Sequence, residues 1–221
     1  MKKSVLMKGL AGIATLLLSG SALACYENPF YPVVEGASWT YQASDGSQFT
    51  QSITAVSADS FTMQLDMGGD MEPMEMTYTC DEGGVLSTGG LAAAMPVGVD
   101  IEVVRAEGLT YPTDLSVGQT WHLELETLSN MEMEGMAATS TMTMVTDNTA
   151  QAIESVTVPA GTFDALLITA DSTVTTVTQV MGMEVPFSVD TTSSTWLVEG
   201  VGMVLSESEG SRTELVSYNI P

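Results

Sequence analysis

Ser60-Phe61-Thr62-Met63-Gln64-Leu65-Asp66-Met67-Gly68-Gly69-Asp70-Met71-Glu72-Pro73-Met74-Glu75-Met76-Thr77-Tyr78-Thr79-Cys80 is the stretch that decides the fold. Large apolar residues fall at every second position on both sides of Gly68-Gly69. Strand side chains alternate between faces, so Phe61, Met63, Leu65 and Met67 share one face. Gly68-Gly69 suits a two-residue hairpin loop. That loop pairs Met67 with Asp70, Met63 with Met74 and Phe61 with Met76, and puts Met74 and Met76 on the same apolar face. Asp70 and Glu72 mark the tip as exposed.

The same pattern runs outward in both directions. Strands are expected over Ser38–Ala43, Ser47–Val56, Ser60–Met67, Met74–Cys80, Val99–Arg105, Gln119–Leu128 and Thr139–Thr146. They continue over Ala152–Val158, Thr162–Val177, Val185–Thr191, Ser194–Glu199, Met203–Glu207 and Arg212–Asn219. Turn residues separate them: Asp45-Gly46, Asp81-Glu82-Gly83-Gly84, Asp147-Asn148, Pro159-Ala160-Gly161, Gly200 and Gly210. Only Leu91–Met95 suggests a helical turn. The chain therefore reads as all-β.

An internal echo suggests two units. Tyr31-Pro32, Gly36 and Trp39 recur as Tyr111-Pro112, Gly118 and Trp121, with Gly three residues before Trp each time. A looser echo relates 81–87 to 199–206. The expected architecture is two related curved antiparallel sheet units, of sandwich or half-barrel type, over 25–108 and 109–221. Trp39, Trp121 and Trp196 should all point inward, the first two at equivalent places.

Residues 1–24 read as a signal peptide. Lys2, Lys3 and Lys8 precede an apolar run from Leu10 to Leu18, and Ala22-Leu23-Ala24 ends in small residues. Cleavage is expected between Ala24 and Cys25, and the apolar run is too short to anchor the mature chain by a helix. The mature chain from Cys25 onward holds 28 acids against Arg105 and Arg212. Such a chain has nothing to displace counterions from nucleic acid and repels anionic membranes. The acids form no calcium-loop pattern.

Cys25 and Cys80 are the two cysteines. An exported chain favours a Cys25–Cys80 disulfide, worth about 4 kcal/mol in the chain-entropy view. The alternative is a lipid anchor on Cys25, but Leu23 is one place late for that processing.

Several of these residues also carry a resemblance: Tyr31-Pro32, Gly36, Trp39 and Tyr41; then Val156-Thr157-Val158-Pro159-Ala160-Gly161-Thr162-Phe163, Trp196 with Gly200-Val201-Gly202, and Glu214-Leu215-Val216-Ser217-Tyr218. With these the chain resembles bacterial secreted or lipid-anchored β proteins related to the domain of unknown function numbered 3108. The resemblance implies an envelope location and no catalysis, and it transfers no functional residue.

Chemistry-bearing candidates are few. His122 shares a strand face with Glu124 and Glu126 and lacks the setting of a catalytic triad. One histidine and two cysteines make no usual zinc site. Fourteen methionines follow the signal, and four M-x-M pairs stand out: Met74/Met76, Met131/Met133, Met142/Met144 and Met181/Met183. Converging thioethers would suit Cu(I). Methionine also fills cores and makes adaptable apolar surfaces. The function expected is that of an exported, non-enzymatic envelope protein, a structural or binding module without a cofactor. The alternatives are a Cu(I)-binding protein and a carrier of an apolar ligand or lipid.

Overall fold

In the computed structural model, residues 28–69, 71–81, 83–87, 100–133, 136–180 and 182–221 are described. Cys25, the expected cleavage site and Leu91–Met95 lie outside them. Thirteen strands form one antiparallel sheet, and the described residues include no helix. β1 (Ser38–Ala43), β2 (Gln48–Val56), β3 (Ser60–Asp66), β4 (Met74–Asp81) and β5 (Gly84–Ser87) follow one another as neighbours. β6 (Asp100–Gly108) and β7 (Tyr111–Pro112) sit at opposite ends of the sheet. The long strands are β8 (Thr120–Met133), β9 (Met136–Val158), β10 (Gly161–Val180) and β11 (Met183–Val198). β12 (Gly202–Ser208) and β13 (Ser211–Asn219) lead back to β1, which β13 pairs from Ser38↔Asn219 to Ala43↔Thr213.

The order explains the shape. β6 and β7 are the two ends of the sheet, yet only Leu109 and Thr110 separate them. Three residue steps span at most about 10 Å, so the sheet curls until its ends lie close together. Bulges supply the bending: one extra residue opposes the partner strand at Thr54, Val104, Gln151 and Val204.

Gly108 sits where β6 turns toward β7. Its φ is +89°, and a Cβ there would lie 2.0 Å from the His122 carbonyl oxygen. Gly108→Ala therefore meets both a left-handed backbone and a backbone clash. We expect a loss of at least about 2 kcal/mol in denaturant unfolding. Gly46→Ala, with the same kind of φ but nothing within 4 Å, gives the cost of the backbone alone.

Three expectations need correction. The hairpin after β3 has a longer loop than Gly68-Gly69: Leu65 pairs Met74, Met63 pairs Met76 and Phe61 pairs Tyr78. β3 stops early because the Asp66 carboxylate accepts the Gly68 N–H at 2.8 Å, and Pro73, which has no N–H, precedes β4. The slip is two residues, so every side chain keeps its face. Asp147-Asn148 is no turn, since β9 runs through it and the chain there pairs with both β8 and β10. β8 runs past the expected end at Leu128, with Met131–Met133 opposite Met136–Ala138.

The core has two parts. The larger holds Trp39, Tyr41, Ile53, Phe61, Met63, Cys80, Val85, Trp196 and Leu215. The smaller holds Leu115, Ala150, Leu166, Ile168 and Leu197, with Trp121 half-buried against it. Tyr111 and Met203 pack against both. Trp39 and Trp196 are thus core rings, while Trp121 is only partly enclosed and touches a different cluster from Trp39. Beyond Thr192, toward its start, β11 pairs with β10 alone. There Met183, Val185, Phe187 and Val189 lie exposed on one face, and Pro186 interrupts the open edge as strand-blocking prolines do.

A tyrosine-lined candidate site

The two Tyr-Pro entries of the echo come together. Tyr31 precedes β1 and Tyr111 lies on β7, and their rings stack with centroids 5.0 Å apart at 22°. Phe61 on β3 stacks with Tyr78 on β4 at 4.7 Å and 5°. Tyr31 also tilts against Phe61 and Tyr78, at 5.7 and 6.2 Å. Alternation along the strands brings these rings to one inner face, and curling of the sheet brings β7 round to meet them.

Together with Trp39 and Tyr41, Tyr31, Tyr78 and Tyr111 wall a cavity of about 170 Å³. Met63, Met203 and Gln51 complete much of its lining. Among the described residues no charged side chain lines it. An apolar cavity of about 150 Å³ accepts a benzene-sized guest, so this one is sized for a single ring.

Hydrogen bonds fix the walls. The Trp39 indole N–H donates to the Val201 carbonyl at 2.6 Å, and the Tyr41 hydroxyl donates to the Met203 carbonyl at 3.0 Å. Both tie the inner face of β1 to the start of β12. Asn28 braces the far side, its Nδ2 donating to the Tyr111 and Pro112 carbonyls at 3.1 Å each. The Tyr31 hydroxyl points to the Met63 thioether at 3.9 Å, a weak acceptor. The Tyr111 hydroxyl has no hydrogen-bond partner among the described residues.

Burial is the main reason these phenols resist ionisation. It raises Tyr31 well above the ordinary range, with Tyr78 and Tyr111 adding to the effect. Tyr41 is raised by burial and by Tyr111. Tyr111 is pushed up to about 12 by burial and by Tyr78. A phenol that ionises near 10 when unfolded and later when folded supports the fold only while protonated. Its stability is complete below pH 10 and is lost as pH rises through about 12. We expect the unfolding free energy to fall across that window. Replacing Tyr111 by Phe should make the fall shallower in alkaline denaturation curves.

The other candidates lie elsewhere. His122 is exposed and its Nδ1 lies 2.8 Å from an Asp147 carboxylate oxygen, also exposed. It shares its strand face with Glu124 and Glu126 as expected, and Glu124 pairs with Arg105. Arg212 pairs with Glu207 and Glu214. Among the described residues, no group of His, Cys, Asp or Glu could hold a metal ion.

The methionine pairs with described side chains occupy three strands. Met76 is buried beside half-buried Met74 on β4, Met142 and Met144 are half-buried on β9, and Met183 is exposed on β11. The methionines that reach the cavity, Met63 and Met203, belong to no pair. Met63 was legible from its alternation with Phe61; nothing local marked Met203.

Cys80 is buried on the inner face of β4. Among the described residues no helix is long and apolar enough to cross a membrane.

The chain belongs to the DUF3108-like family, whose profile matches residues 39–220. No curated protein matches the sequence. Among solved structures, the chain is similar to a candidate lipoprotein from Parabacteroides distasonis, with a TM-score of 0.50 and 16% identity over 88% of this chain and 99% of that one. It is also similar to an exported-type protein with a YmcC-like fold from Bacteroides fragilis, with a TM-score of 0.48 and 16% identity, covering 86% and 98% of the two chains. At such identities the likeness concerns the fold.

Proposed function

We propose that this is an exported, non-enzymatic binding module that holds one small apolar molecule in the tyrosine-lined cavity. The cavity carries the reading. It is ring-sized, walled by aromatic and thioether side chains, and free of charged groups among the described residues. Among the described residues, groups that could act as nucleophile and base do not converge on it, which favours holding a molecule over converting it. Export rests on the basic, apolar and small-residue order of residues 1–24.

Thermal unfolding in the presence of ethylbenzene tests the binding. A guest that binds only the folded protein stabilises it by mass action, about 2.7 kcal/mol at a hundredfold excess over Kd. For a domain of this size that is a rise of about 5–10 °C in Tm. No shift near the solubility limit of the ligand overturns the reading.

We further propose that Cys80 pairs with Cys25. Asn28 is hydrogen-bonded to Tyr111, which pairs Val85, which pairs Cys80. Two strand spacings cover about 10 Å, and the three residue steps from Asn28 to Cys25 reach as far. The intact protein is then lighter by two hydrogens than its reduced form. A mass gain from a diacylglyceryl group, with Cys80 open to alkylation, overturns the pairing.

A further inference from the structure

Resting on the cavity reading above, we propose that the site selects a neutral, ring-sized molecule carrying one hydrogen-bond acceptor oxygen, which the Tyr111 hydroxyl receives. The phenol hydroxyls differ in what they meet. Tyr41 spends its proton on the Met203 carbonyl. Tyr31 meets the Met63 thioether at 3.9 Å and the Tyr78 side chain. Tyr111 lines the cavity and donates to nothing among the described residues. A donor on the cavity wall that meets no protein acceptor is open to the acceptor of a ligand.

The charge of the ligand is set by what is missing around the cavity and by what surrounds the protein. Neither arginine is available to neutralise an anion: Arg105 is engaged by Glu124 and Glu126, and Arg212 by Glu207 and Glu214. Apart from the signal region, those two arginines face 28 acids, whose field repels a carboxylate before it reaches the mouth. A cation meets no carboxylate among the described lining residues, so it would lose its hydration without a counter-charge. What remains is a neutral ring with a carbonyl or ether oxygen at one end.

Calorimetric titration with four probes of one size tests this. Acetophenone carries the acceptor, ethylbenzene lacks it, benzoate is the anion and phenyltrimethylammonium the cation. We expect acetophenone to bind about tenfold more tightly than ethylbenzene, the range of one well-made hydrogen bond. Benzoate and the cation should bind more weakly than ethylbenzene. In Tyr111→Phe, a variant that removes an unpaired hydroxyl and should fold, the ratio of acetophenone to ethylbenzene affinity should collapse to about one.

Equal binding of acetophenone and ethylbenzene to the unaltered protein overturns the acceptor proposal and leaves the apolar cavity standing. So does a tenfold preference that survives in Tyr111→Phe. Tightest binding of benzoate or of the cation overturns the neutral class. Failure of every probe to bind removes the cavity reading as well.

Discussion

Met63→Asp should cost more than about 3 kcal/mol and leave much of the chain unfolded at neutral pH. Met63 is 2% exposed in the middle of β3, opposite Met76 and within the larger core. An aspartate there is shorter, so it leaves part of the methionine volume empty. The Tyr31 hydroxyl, which now points at the Met63 sulfur, is a neutral donor and brings the carboxylate no counter-charge. A buried carboxyl without a cation has its pKa raised above the ordinary value of about 4. The unfolded chain then releases the proton more readily than the folded one, and stability falls as pH rises from about 4 toward the raised value. Met63→Asn shares the size and lacks the charge. The gap between the two variants in urea unfolding should widen from pH 4 to pH 7. A Met63→Asp variant within about 0.5 kcal/mol of the parent would contradict the burial of this face.

Trp39→Ala should cost about 3–5 kcal/mol. The ring is 4% exposed, lines the cavity, and ties β1 to Val201 through its indole N–H. Removing it opens space beside a cavity that already exists and leaves the Val201 carbonyl without its donor. Trp39→Phe separates the two effects, keeping an aromatic ring while losing the hydrogen bond, and should cost about 1–2 kcal/mol beyond the lost volume. Trp121 provides the contrast. Its indole nitrogen is buried without a partner among the described residues. Trp121→Phe removes that unpaired donor, so its cost should be smaller than that of Trp39→Phe. Guanidinium unfolding of the three variants checks the order.

The strands were legible because most are half-buried, and a half-buried strand writes its two faces into alternate residues. Ser38–Ala43 is legible to the residue for that reason. Legibility failed where polar residues filled both faces. Around Asp147-Asn148 in β9, threonines and serines replace the apolar alternation, and the turn-forming pair dominated the local signal although both neighbouring strands hold it extended. β5 and β7 are four and two residues long, too short for any period to show. The site was half legible. The Tyr-Pro echo marked Tyr31 and Tyr111, and alternation marked Phe61, Met63 and the inward side of β4. That these residues enclose one space depends on β7 closing the far end of the sheet, a long-range event that no local pattern encodes. Met203 and the carbonyls of Val201 and Met203 enter the site through backbone position alone.

The pairing of β1 with β13 has a kinetic consequence. Ser38 meets Asn219, so the first strand to be made waits for the last. Until β13 emerges, β1 has one open edge, and the Trp39 and Tyr41 anchors wait for Val201 and Met203, each 162 residues further on. Loop closure over most of the chain precedes any reward from these contacts, which places the protein among slow, high-contact-order folders. A chain that stops short of β13 cannot complete its core. The folded state is therefore reached late and cooperatively, once β13 is in place, and the unfolded thread persists long enough to be handled before it locks.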